Sequence, residues 1–317
     1  FSFIGSDSCF LYFDYKDNSI VRSGYEAILL DNVKDAKTIE QAKNEILQKT
    51  KPNFSNASSI NEGLFATEDD LGTSFYFRGA VDNNWVVFGK DKSAKDMYWR
   101  IIRINGDNSI RMIYTGTTPP TENTKVVLTG VETQINNSKF NSNIDNYTFV
   151  GYMFSNNLQQ GNDYSSTIKN NIEDWFLQTS LNENTNLEYN QIYCNDRSVI
   201  DTTTSSSSNM DYASYTRIST KKNPILTCSN DNDKFTYEKS TIGNKKLKFP
   251  VGLITADEVA MAGNILFTVN KKSYLYTNQD YWVGSPLSFR DSNAYSFAFL
   301  SDGYLNSRIV NTSIGVR

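Results

Sequence analysis

Hydrophobic and polar positions change period several times along the chain, and each change marks an element. Over residues 1–35 aromatic positions recur at Phe10, Tyr12 and Phe13, and Ala27-Ile28-Leu29-Leu30 forms an apolar run, so this region reads as strands. Residues 38–50 switch to helical spacing. Thr38 and Gln41 have the spacing of a capping box, Ile39, Ala42 and Ile46 form one apolar stripe, and Lys51-Pro52-Asn53 ends the helix. The polar stretch FSNASSINEG then reads as a linker. It predicts an N-terminal strand and helix region over 1–60 and a main domain over 61–317.

Beyond the linker, SFYFRGAV and NWVVFG alternate as strands do. The clearest local pattern is YWRIIRINGDNSIRMIYTG, with β-rich arms from Tyr98 to Ile104 and Ser109 to Tyr114 around an Asn105-Gly106-Asp107 turn. On this hairpin Arg100, Arg103 and Arg111 are expected on the polar face, and Ile102, Ile104, Ile110 and Met112 in the core. A loop-rich stretch leads to a helix from Ser166 or Thr167, with Ile168, Ile172, Trp175 and Phe176 along its apolar stripe. Residues 178–248 are polar, and the run Thr202 to Ser208 is expected to be a mobile loop. A second capping box, Thr255 with Glu258, opens a helix that stops at Gly263-Asn264. Strand-like patterning resumes from Leu266, with a turn expected at Gly284-Ser285-Pro286. The fold class is α+β, with short helices, many short strands and long loops. Long loops on a compact scaffold usually carry function.

Composition adds limits. The 317 residues are 38% apolar and 13% aromatic, enough for a substantial core. A net charge of −4 with scattered basic residues argues against a nucleic-acid partner. No run approaches the ~20 apolar residues of a membrane span. Phe1 stands where an initiator Met would, so a processed or trimmed start is expected; Gly5, Ser6, Asp7 and Asp14 rule out a pilin-type apolar helix there. Of the three cysteines, Cys194 and Cys228 are the expected disulfide, closing a loop of about 34 residues, with three buried thiols as the alternative. Cys9 is left over. One staple suits an extracellular bacterial protein.

Candidate chemistry is sparse. The chain has no histidine, the commonest general base and metal ligand. Asp69-Asp70 and Asp231 with Asp233 offer close carboxylates for a hard cation, but neither follows an EF-hand, so they read as solvated loop acids. Asp257 and Glu258 fall in a helix first turn, where acids complement the macrodipole. No carboxylate pair has spacing that recommends glycosidase chemistry, and no glycine loop would cradle phosphate. No catalytic residue, metal or cofactor is assigned.

An ordered set of short motifs resembles a family of secreted or membrane-anchored surface proteins of AT-rich bacteria. The set comprises Gly63-Leu64-Phe65, Tyr76-Phe77-Arg78-Gly79, Trp99 to Asp107, Gly151-Tyr152-Met153, Cys194 to Ser198, Pro250 to Glu258, Tyr281-Trp282 with Ser285-Pro286, and Gly315-Val316-Arg317. It covers roughly residues 60–317. The C-terminal part also looks like the C-type-lectin-like fold of formylglycine-generating-enzyme-type domains, a likeness of fold and not of chemistry. The copper-binding cysteine pair of that enzyme class and the calcium-lectin sugar motifs have no counterpart here. Relatives continue past Gly-Val-Arg, so a truncated end is expected.

In some such domains the last strands display a diversified face rich in Asn, Ser, Tyr and Asp. The resemblance therefore implies a ligand-binding face made of Asp280, Tyr281, Trp282, Phe289, Arg290, Asp291, Asn293, Tyr295, Tyr304, Asn306, Arg308 and Asn311. Tyr and Arg supply contact area at modest entropic cost, and Asn adapts. The expected function is non-enzymatic: an adhesin-like surface protein that binds a protein or glycan partner. The alternative is a subunit of an extracellular filament or sheath assembled by strand pairing.

Overall fold

The computed structural model describes residues 24–200 and 209–317. The expectations for Phe10, Tyr12, Phe13, Cys9 and the run Thr202 to Ser208 lie outside the described residues.

The apolar run Ala27–Leu30 is helical and not a strand. It sits in α1 (Gly24–Asn32), where Ile28 and Leu29 are buried, and an unbroken apolar run of this length fits either element. The second helix, α2 (Ile39–Gln48), starts as its capping box predicts: Gln41 N donates to Thr38 Oγ1 and Thr38 N donates to Gln41 Oε1, both at 3.2 Å. Both helices share one apolar cluster with the first sheet.

That sheet is antiparallel and contains β1 (Asn61–Asp69), β2 (Gly72–Gly79), β3 (Trp85–Lys90), β4 (Asp96–Ile104) and β5 (Ile110–Tyr114). Strand β4 is central, so that Arg100 has Trp85 of β3 on one side and Ile113 of β5 on the other. The predicted β4–β5 hairpin forms, and its turn lies against the β1–β2 turn. A Cβ at Gly106 would come within 2.3 Å of Gly72 N, so only glycine permits this approach. The hairpin's polar face is not solvated, however. Arg100, Arg103 and Arg111 are all buried, because loops and the segment that carries Glu258 cover that face and supply acceptors.

The middle of the chain contributes β6 (Asn136–Ser138), the short pair β7 (Met153–Phe154) and β8 (Tyr164–Ser165), and α3 (Thr167–Leu177). Ser166 caps α3 by accepting from Lys169 N. Then come β9 (Tyr193–Cys194), β10 (Asn209–Asp211), α4 (Ala213–Thr216) and β11 (Lys234–Phe235), with β9 and β11 paired. The Cys194–Cys228 disulfide is formed and joins β9 to the loop before β11. The predicted capping box of Thr255 and Glu258 opens α5 (Ala256–Met261).

Residues 265–280 are largely irregular, and regular strands begin at Tyr281. The second sheet has the order β14 (Leu305–Ile309), β13 (Asn293–Phe299), β12 (Tyr281–Arg290), β15 (Ile314–Val316), β6, with β10 also on β12. Gly284-Ser285-Pro286 is not a turn but stays within β12. The register slips on both sides of Pro286, and such a bulge tolerates a residue with no N–H to donate. Buried Arg317 ties the two sheets together through Tyr114 O, Thr115 Oγ1 and Leu275 O.

Candidate functional site

The C-terminal residues expected to bind ligand do not form one surface. Tyr281, Trp282 and Phe289 are buried. Tyr281 stacks on Phe299 and donates to Leu275 O, while Trp282 packs against Phe140 and donates to Ser138 O. Their apolar area serves the core. Asp280 accepts from Ser301 N and pairs with Arg308, and Arg290 is paired with Asp211. Asp291 and Asn293 shape the β12–β13 turn. Tyr295, Tyr304 and Asn306 are half-buried, and Asn311 is exposed. These side chains are spread along β13 and β14, at the ends of β12 and over three turns.

Several ion pairs lie inside the molecule. Arg103 lies between Asp69 at 2.6 Å and Glu258 at 3.1 Å, and Glu258 also takes Arg111 at 2.6 Å. Arg217 bridges Asp196 at 2.6 Å and Asp257 at 2.9 Å. Asp69 and Asp233 are therefore not solvated loop acids but partners of buried arginines, while Asp70 accepts from Cys228 N and Asp231 stays exposed. Burial pushes the Glu258 carboxyl up, but Arg111, Arg103 and the Thr255 N–H outweigh it and hold the group below its ordinary range. Asp69, Asp196, Asp233, Asp257 and Glu258 are each neutralised by a guanidinium within 3.1 Å, which fits a structural framework. Among the described residues, no group of three or more His, Cys, Asp or Glu side chains is placed to hold a metal ion.

A cleft of about 490 Å³ opens over β3 and β4. The β3–β4 register sets Val87 beside Tyr98 and Trp85 beside Arg100, so these four share one face of the first sheet. Tyr98 and Val87 form a half-buried floor, with Trp85 deeper. Pro119, Pro120, Thr121, Glu122 and Lys125 form one wall, and Asp82 and Asn83 the other. The loop wall is pinned from beneath. Trp85 Nε1 and an Arg100 guanidinium nitrogen both donate to Lys125 O at 2.7 Å, and that guanidinium lies 4.4 Å from the Trp85 ring centre.

Three charges frame the mouth. Lys125 Nζ lies 3.0 Å from Glu122 and 3.6 Å from Asp82. Inside, Asn83 donates to Asn32 Oδ1 at 2.9 Å, and its own buried Oδ1 has no partner. An apolar floor, a few convergent polar groups and a volume within the ~300–1,000 Å³ of small-ligand sites give the cleft the proportions of a small-ligand site. Its strands are legible in the amino-acid pattern, but the cleft is not. The one local signal was Pro119-Pro120, a stiff wall whose position depends on contacts 25 to 40 residues away.

Comparison with protein-family models, curated proteins and solved structures gives no match to this chain. Among the described residues, no helix is long and apolar enough to cross a membrane.

Proposed function

We propose that this chain is an adhesin-like binding protein of the bacterial exterior, and that its ligand seats in the cleft over β3 and β4. The observation that carries the proposal is the preformed cleft itself, with its floor on paired strands and its wall pinned by Arg100 and Trp85. A site built on strands and pinned in this way loses little entropy on binding. The Cys194–Cys228 disulfide supports an oxidising location. A C-type-lectin-like architecture and kinship with surface proteins of AT-rich bacteria belong to the same proposal. The second sheet, where β15 returns beside β12, fits that architecture. In this reading the chain performs no chemistry on its ligand.

The filament alternative needs free strand edges, and one edge strand of each sheet, β1 and β14, is partly blocked. Lys49 Nζ donates to Leu64 O of β1, and Phe267 N donates to Leu305 O of β14. The binding reading is therefore preferred. Its test is a screen of purified protein on arrays of glycans and proteins, repeated with Tyr98→Ala and with exchanges at Asn306, Arg308 and Asn311. Loss of the recovered ligand with Tyr98→Ala alone supports the cleft; loss with the C-terminal exchanges alone returns the site to the last strands.

A further inference from the structure

A second groove, of about 320 Å³, lies away from this cleft between α3, the β3–β4 turn, the end of β5 and the start of β6. Helix α3 splits into two stripes. Ile168, Ile172 and Phe176 are buried in the core, as their spacing predicts. Asn171, Asp174, Trp175 and Gln178, at positions i, i+3, i+4 and i+7, line the groove instead. Trp175 was expected in the apolar stripe, but it stands at the border, half-buried. Tyr114 meets it at 5.4 Å with an interplanar angle of 64°, and Trp99 lies behind at 6.3 Å. Asn136 of β6 also lines the groove.

We propose that this groove is a second binding site, selective for a neutral sugar residue of a glycan. The aromatic ring offers a negative π face to the polarised C–H groups of a pyranose. The amides of Asn171, Gln178 and Asn136 line the groove, and an amide carries both donor and acceptor atoms, which match hydroxyl groups that also do both; Gln178 Nε2 already donates one hydrogen to Asp174 O at 3.1 Å. The Oδ1 of Asn171 is buried without a partner, so a turn of this amide that brings Oδ1 to a sugar hydroxyl relieves a cost carried by the unliganded protein. Asp91 and Asp174 outnumber Lys92 on the lining, so phosphate, sulfate and acidic sugars are disfavoured. The inference rests on the binding-protein reading but uses different residues from the cleft.

The test exploits the tryptophans. The chain has four, and Trp85, Trp99 and Trp282 are buried, so acrylamide quenching reports chiefly on Trp175. Neutral hexose and N-acetylhexosamine oligosaccharides are titrated against the whole chain. We expect one of them to shield the quenchable tryptophan, Trp175→Ala to abolish its binding measured calorimetrically, and Asn171→Ala to weaken it about tenfold. Tyr98→Ala leaves this binding unchanged. Absence of shielding by every oligosaccharide, equal binding by a folded Trp175→Ala variant, or shielding by peptides alone overturns the proposal. Those failures leave a ligand recovered at the Tyr98 cleft untouched, whereas loss of the glycan with Tyr98→Ala assigns it to the cleft and removes the second site.

Discussion

Arg197 Nε donates to Asp233 Oδ1 at 2.7 Å, and neither side chain is exposed to solvent. The remaining guanidinium nitrogens donate to Met153 O, Gly161 O, Asn162 Oδ1 and Asn232 O, so one side chain gathers β7, the β7–β8 loop and the loop before β11. Removing one partner of such a pair strands the other charge. Asp233→Ala is expected to lower unfolding stability by about 3–5 kcal/mol, read as the shift in urea midpoint. A loss under 1 kcal/mol would show that the middle loops are held by something else.

Glu258 and Asp69 set the acid limit of the fold. Burial raises both carboxyls, but arginines and hydrogen bonds outweigh it, so both lie below their unfolded values of about 4. The stabilisation is complete above about pH 5 and is lost as pH falls through the depressed values. Asp233 runs the other way: burial raises it, so its ionisation opposes folding as pH rises from its ordinary value to the raised one. Glu258→Gln is expected to be less stable at pH 7 and to lose less on going to pH 3. Parallel pH profiles for variant and wild type would remove Glu258 from this role.

The disulfide closes a segment with a sequence separation of 34. Constraining the unfolded chain by that length is worth about 3–4 kcal/mol. The Cys194→Ser, Cys228→Ser double variant should melt well below wild type, and a reducing agent should lower the wild-type transition but not the variant's.

Buried and exposed residues of the C-terminal sheet should behave in opposite ways. Trp282→Ala is expected to cost about 3–5 kcal/mol, because a fully buried indole and its bond to Ser138 O are lost. Asn311→Ala should stay within about 0.5 kcal/mol. Thermal melts of the two variants decide this.

Local chemistry made parts of the fold legible. Thr38 with Gln41 and Thr255 with Glu258 read as capping boxes because both partners lie three residues apart, and the Asn105-Gly106-Asp107 turn was equally local. The arginines of that hairpin were misplaced because their acceptors are remote. Arg103 finds Glu258 at a separation of 155 residues, and strand alternation alone would put Arg100 and Arg103 on opposite faces; the register shift between Ile101 and Arg103 brings them to one. The C-terminal aromatics misled for a similar reason. Tyr281 and Trp282 resemble display residues in composition, yet the loop before β12 and the β6 strand cover them. The cleft was hidden because its loop wall is placed by two long-range bonds to one carbonyl, Lys125 O.

The central claim is that ligand seats over β3 and β4. Its most direct test is hydrogen–deuterium exchange of the protein with and without the ligand recovered from the arrays. The account predicts slowed exchange in residues 82–87 and 119–126, with strands β13 and β14 unchanged. Protection confined to residues 293–311, with the 119–126 loop unaffected, would contradict it.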